Sequence, residues 1–104
     1  MTLTTDPEEL KRILTSQRET LLKEALAIVT KDRNQAYGEP EDTFELIARY
    51  WSVYLQAKYG FFIEDQDVPI LMSLMKIARL TRNSRHWDSM VDVAGYMACL
   101  AEIE

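Results

Sequence analysis

Two carboxylates near the end of the chain stand where the hydrophobic pattern would place leucine. Asp88 and Asp92 lie four residues apart in an otherwise apolar segment. An α-helix therefore puts both on one face. If that face points inward, the carboxylates need a compensating cation, because a buried unpaired carboxylate is strongly disfavoured or takes up a proton. The pair predicts a bound metal such as Mg2+, an ion pair with nearby basic side chains, or a position at the mouth of a cleft.

The nearby basic side chains are Lys76, Arg79 and Arg82, in the preceding apolar segment. The link at residues 83–84 is short, so the two segments should form antiparallel neighbouring helices. Two interpretations remain open. The charges could form an internal salt-bridge network that fixes helix register, or a site in which the cations bind phosphate. Gly95, on the same face as the carboxylates, would leave room for another backbone or a flat ligand.

Other residues that could contact a ligand have simpler explanations as well. Arg33, Tyr37 and Gly38 could form a binding loop, although a turn alone also explains the glycine. His86 has no partner at metal-ligand spacing, which is typical of a surface or capping residue. Four aromatic residues are expected in the core rather than as stacking platforms: Trp51, Tyr54, Trp87 and Tyr96.

The elements that would position these residues are helices. Capping residues, apolar periodicity and proline positions predict helices over about residues 6–31, 41–60, 67–83 and 85–102, with a break near Ser16. Pro69 should lie in the first turn of the third helix, and Gly60 should cap the second. These elements predict an all-α protein, a compact four- to five-helix bundle.

The second predicted helix is apolar on two faces. One row contains Phe44, Ala48 and Leu55, whereas Leu46 and Tyr50 begin another row almost opposite. Such a helix is either central in the fold or shared with another subunit.

Composition limits the class of protein. The 104 residues suffice for one domain, 1–104, and a net charge of -5 argues against direct binding to a nucleic-acid duplex. A single cysteine excludes an intrachain disulfide and fits a reducing compartment. The polar, acidic start is unlike a secretory signal, and no apolar run approaches the length of a membrane span. We therefore expect a cytoplasmic protein that does not enter membranes.

Four stretches of the chain carry a family resemblance. DRNQAYGEPEDTF, ARYWSVYL, DVPILMSLMKIARL and HWDSMVDVAGYMA resemble small, mostly uncharacterised phage- and prophage-associated proteins. Those proteins look like MazG-like members of the all-α NTP pyrophosphatase superfamily. The resemblance extends over residues 24–104, and it places the protein in the host cytoplasm if it is phage-encoded.

The resemblance implies a dimeric or tetrameric helical bundle that hydrolyses a nucleoside triphosphate to the monophosphate and pyrophosphate. Acidic side chains from two helices hold Mg2+ in that superfamily. Asp88 and Asp92 resemble the acidic pair of its last catalytic helix, although that pair is usually a Glu and an Asp three apart. Where the family carries Glu-Glu-x-x-Glu on the preceding helix, this chain has Lys76 and Arg79.

The functional hypothesis is therefore a nucleotide-directed protein. In the Mg2+-dependent pyrophosphohydrolase form, Asp88 and Asp92 bind the metal, with Glu45, or Glu41 beside it, replacing the missing carboxylates. The phosphate ligands would be Lys76, Arg79, Arg82, Arg33 and Tyr37. The alternative is a non-catalytic nucleotide-binding or protein-interaction module, in which the same Asp, Arg and Lys cluster is a phosphate pocket or an internal salt-bridge network.

Overall fold

Helices make up almost all of the structure, which is a computed structural model describing residues 6–9, 16–32 and 40–103. The helices are α1 (Gln17–Ala27), α2 (Pro40–Tyr59), α3 (Asp67–Arg82) and α4 (Trp87–Glu102). A π-helical turn, Ile28–Asp32, continues α1, and the backbone is also helical at residues 7–9. These described ranges contain no β-strand. The predicted all-α helical bundle is confirmed.

Local capping explains where the first helical segments begin. The Asp6 carboxylate accepts a hydrogen bond from the Glu8 amide at 3.1 Å. Ser16 caps α1, because its hydroxyl accepts from the Glu19 amide at 3.1 Å. Both contacts satisfy amides that have no partner within a helix. The break predicted near Ser16 is therefore confirmed as the start of α1.

The chain leaves α2 and enters α3 as the sequence predicts. Gly60 has φ +80°, a conformation that L side chains rarely adopt, and its amide donates to the Gln56 carbonyl at 3.0 Å. Pro69 lies in the first turn of α3, where its missing N–H costs no helical hydrogen bond.

Helices α3 and α4 form an antiparallel hairpin that packs along most of its length, and α1 packs against α4. A Cβ atom placed on Gly95 would lie 3.4 Å from Cγ1 of Val29. The Val29 side chain, just after α1, therefore fills the space that was predicted at Gly95 for another backbone or a flat ligand.

A small core lies where α2, α3 and α4 meet. It contains four buried side chains: Phe44, Ala48, Val68 and Cys99. Val68 is completely buried. Tyr96 packs against this cluster, and Trp87 is half-buried, as the sequence predicts for core aromatics. Trp51 and Tyr54, however, are 37% and 59% exposed, so their predicted places in the core are wrong.

The buried hydroxyl of Ser52 joins α2 to the segment that leads into α3. It accepts a hydrogen bond from the Ile63 amide at 3.0 Å and donates to the Ile63 carbonyl at 3.3 Å. Ser52→Ala would leave both backbone groups unpaired in a part-buried position. We expect the free energy of unfolding to fall by about 1–2 kcal/mol in urea denaturation. Thr81→Ala is the control, since that exposed hydroxyl contacts only its own helix; equal losses in the two variants would contradict this role.

The second apolar row of α2 is exposed, because the core lies on the opposite side of that helix: Leu46 is 52% and Tyr50 70% exposed. Among the residues that the structure describes, no element covers this row.

No helix in the described ranges is both long enough and apolar enough to span a bilayer.

Candidate functional site

One tertiary ion pair joins the two helices of the hairpin. The Lys76 ammonium lies 2.8 Å from the Asp92 carboxylate, and these side chains are 12% and 29% exposed. The pair fixes the register of the hairpin, with Lys76 opposite Asp92. The interpretation of these residues as a salt bridge is thus confirmed for this pair. Lys76, predicted to bind phosphate, is instead paired with Asp92 in this conformation.

Arg79 and Asp88 lie one helical turn nearer the α3–α4 connection than the Lys76–Asp92 pair. Both are exposed, and neither forms an ion pair with any other residue that the structure describes. The predicted network therefore stops at a single bridge. The guanidinium of Arg79 is open to solvent and to an anionic ligand.

The end of the hairpin is rich in positive charge. Arg79 and Arg82 lie in the last turn of α3, and Arg85 follows in the connection. All three are exposed, and we call them the cationic turn. The N-terminus of α4, the positive end of the helix dipole, begins beside them. Each guanidinium can donate two parallel hydrogen bonds to a phosphate.

His86 caps α4 through its Nδ1 atom. Its Nδ1 accepts a hydrogen bond from the Ser89 amide at 3.2 Å and lies 2.7 Å from the Ser89 hydroxyl, which is buried. The capping role predicted for His86 is confirmed. The cap orders the connection next to the cationic turn.

Glu24 is a neighbour of this region that the sequence did not reveal. Its carboxylate accepts a hydrogen bond from the indole N–H of Trp87 at 2.6 Å. The two residues are 63 positions apart, and Glu24 lies on the polar side of a helix with no local signal of a tertiary contact. The bond ties α1 to the first turn of α4, one residue before Asp88.

Glu45, predicted to act with Asp88 and Asp92, lies elsewhere. Its carboxylate pairs with Arg49 at 2.7 Å on the exposed surface of α2. Both residues line an open cleft of about 680 Å3, which Glu64, Asp65 and Phe62 also border. The structure thus brings Lys76 and Asp92 together but gives Glu45 a different set of neighbours.

The carboxylates do not complete a magnesium site within the described residues of one chain. Mg2+ requires several oxygen ligands in near-octahedral geometry. No group of three or more His, Cys, Asp or Glu residues in the described ranges is placed to hold a metal, and Asp92 is already neutralised by Lys76. Arg33 and Tyr37 lie outside the described residues, as does the side chain of Glu41.

These features define an all-α domain whose α3–α4 hairpin carries exposed arginines at its closed end. Residues 20–104 match the family model described as "Domain of unknown function (DUF6378)". The chain belongs to this family. Membership in the MazG-like superfamily stays a prediction.

Two curated relatives come from mycobacterial phages, in agreement with the phage-associated group predicted from the sequence. The chain is 42% identical over 85 residues to "Gene 55 protein" of Mycobacterium phage D29, a match that covers 82% of this chain and 54% of that protein. It is 36% identical over 85 residues to "Gene 55 protein" of Mycobacterium phage L5, covering 82% and 53%. The chain thus spans about half the length of these relatives. No solved structure gives a significant match.

Proposed function

We propose that this is a nucleotide-directed protein that binds the phosphates of a (deoxy)nucleoside triphosphate at the cationic turn. The observation that carries the proposal is the contrast between neighbouring cations. Lys76 is paired and nearly buried, whereas Arg79 and Arg82, one and two turns further on, are exposed and form no ion pair within the described ranges. A triphosphate supplies the acceptor oxygens that these guanidinium groups lack.

Capture without turnover is the form of this function that the geometry favours. Lys76 and Arg79 stand on α3 where the resembled family carries carboxylates. This exchange removes ligands for a metal and adds ligands for phosphate. The Lys76–Asp92 ion pair also disfavours metal binding, because it engages Asp92, one of the two predicted metal ligands. The protein would then hold a nucleotide or a nucleotide-derived signal.

Mg2+-dependent hydrolysis of the triphosphate to monophosphate and pyrophosphate is the second candidate. The observation in its favour is that Asp88 is exposed and Asp92 is 29% exposed, one turn apart on α4, so both reach solvent. Asp88 and Asp92 are the residues that would hold the ion. The described residues do not supply the remaining ligands, and we derive no catalytic step through the metal.

The resemblance and the phage relatives also support two further parts of the proposal. The proposed location is the cytoplasm of the bacterial host, where a phage-encoded protein would meet nucleotides. The proposed assembly is a homo-oligomer, a dimer or a tetramer, which the exposed second row of α2 supports.

A thermal-shift panel tests the proposal and separates its two forms. The protein is melted with each common ribo- and deoxyribonucleoside triphosphate, with and without Mg2+, and every hit is assayed for pyrophosphate release. Capture predicts a higher Tm that does not require Mg2+, with no pyrophosphate. Hydrolysis predicts Mg2+-dependent release. If no nucleotide changes the Tm and none is cleaved, the protein is not nucleotide-directed.

A further inference from the structure

We propose that the Lys76 ammonium takes the place of a divalent metal ion, and that Asp88 and Asp92 form a latent metal site which this ammonium blocks. Its Nζ atom lies 2.8 Å from a carboxylate oxygen of Asp92, between the two helices of the hairpin. A lysine ammonium is a compact point charge, so it neutralises Asp92 as a bound cation would. The inference favours the capture form of the proposed function, but it concerns cation binding and does not depend on a nucleotide.

Burial of the ion pair explains why a metal ion in solution would not displace the lysine. Lys76 is 12% exposed. Separating it from Asp92 would leave a nearly buried ammonium without a counter-charge, which is strongly disfavoured. A divalent ion bound at Asp92 would also lie close to this positive charge and be repelled by it. The lysine therefore excludes the metal both by its charge and by the place that it occupies.

The two aspartates have the arrangement of a metal-binding pair once the ammonium is removed. They lie one turn apart on the same face of α4. Carboxylate oxygens are the ligands that Mg2+ and Mn2+ prefer, with water completing the coordination shell. A carboxylate at position 76, opposite Asp92 on α3, would add a third acidic ligand, which the described part of the chain does not supply.

The alternative is an ion pair that only fixes the register of the hairpin. Such a pair requires one aspartate, whereas Asp88 is a second carboxylate on the same face and forms no ion pair with the residues that the structure describes. Both interpretations predict lower stability when Lys76 is replaced, because Asp92 loses its partner. Only a blocked metal site predicts that the replacement also creates affinity for a divalent cation.

Binding of Mn2+ to the full chain tests the proposal, measured by the electron paramagnetic resonance signal of free Mn2+ and by thermal melting. For wild type we expect no saturable binding and no change in Tm. Lys76→Glu should bind Mn2+ saturably, and its Tm should rise by about 6 °C when the ion is at about ten times its dissociation constant. Lys58→Glu makes the same change of charge at an exposed position of α2 and should behave as wild type does.

Further variants keep the test decisive if Lys76→Glu does not fold without metal. Lys76→Gln removes the charge and keeps the length of the side chain, and it should bind Mn2+ more weakly than Lys76→Glu, through the two aspartates alone. Adding Asp88→Asn or Asp92→Asn to Lys76→Glu should remove most of the gained affinity.

Two outcomes would overturn the proposal. The first is a wild type that binds Mn2+ as tightly as Lys76→Glu, because the ammonium would then block nothing. The second is a pair of Lys76 variants that bind Mn2+ no better than Lys58→Glu, because the aspartates would then form no latent site. These measurements contain no nucleotide, so their result is separate from that of the triphosphate panel.

Discussion

Replacing Asp92 with leucine should lower the free energy of unfolding by about 2–3 kcal/mol. This loss is larger than the one expected for Ser52→Ala. Lys76 is 12% exposed, and its ammonium lies 2.8 Å from the Asp92 carboxylate. Removing one partner of a nearly buried pair leaves an uncompensated charge, which typically costs 3–5 kcal/mol when both groups are fully buried. We expect less here because Asp92 is 29% exposed.

Two control variants distinguish this effect from a general loss of charge. Glu45→Leu breaks an exposed pair with Arg49, whose side chains are 57% and 74% exposed, and should cost less than about 0.5 kcal/mol. The double variant Lys76→Met/Asp92→Leu should recover most of the stability, because an apolar pair of similar size replaces the bridge. Urea denaturation measures all three. If Asp92→Leu were as mild as Glu45→Leu, the bridge would not hold the hairpin.

Removing both arginines of the last turn of α3 should have the largest effect on ligand binding. Arg79→Ala/Arg82→Ala should raise the dissociation constant for a nucleoside triphosphate about 100-fold or more, since each charge-assisted hydrogen bond typically contributes about 1.5–3 kcal/mol and two such bonds are lost. Stability should change little, because the arginines only complement the negative end of the α3 dipole, an effect of about 0.3–1 kcal/mol each. Calorimetric titration measures the binding, and thermal melting the stability.

The matched control is Arg49→Ala/Lys58→Ala, which removes the same net charge from exposed positions of α2. Helix α2 packs on Val68 and Cys99, at the end of the hairpin opposite the cationic turn. This control should leave the affinity within about two-fold of wild type at physiological ionic strength, where charges beyond about 8 Å are screened. If the two double variants weaken binding equally, the attraction is a property of the overall charge. If neither double variant weakens binding, Arg79 and Arg82 serve only to stabilise α3.

Much of the fold is predictable from the sequence because its signals are local. Ser16, Gly60 and Pro69 mark helix ends through backbone rules that operate within one turn. The apolar periodicity of α3 and α4 likewise predicts a helical hairpin, and the short connection makes the pairing of Lys76 with an aspartate foreseeable. The hydrophobic pattern alone could not decide which faces stay uncovered. Tyr54 shows this, since its spacing fits the core row although it lies outside it.

The candidate site was less predictable because its contacts are tertiary. Glu45 and Asp92 are both carboxylates on amphipathic helices, yet one pairs along its own helix and the other across to α3. The bond between Glu24 and Trp87 depends on how α1 crosses α4, which no local pattern encodes. Which cations remain free for a ligand follows from these pairings, so Arg79 is distinguished from Lys76 only in the folded chain.

The most direct test of the central claim is a calorimetric titration of wild-type protein with nucleoside triphosphates in the absence of Mg2+. We predict saturable binding of at least one triphosphate, with markedly weaker binding of the corresponding nucleoside, because the nucleoside lacks the phosphates that the proposed site would bind. An absence of heat and of saturation for every triphosphate, or equal affinity for the nucleoside and its triphosphate, would contradict it.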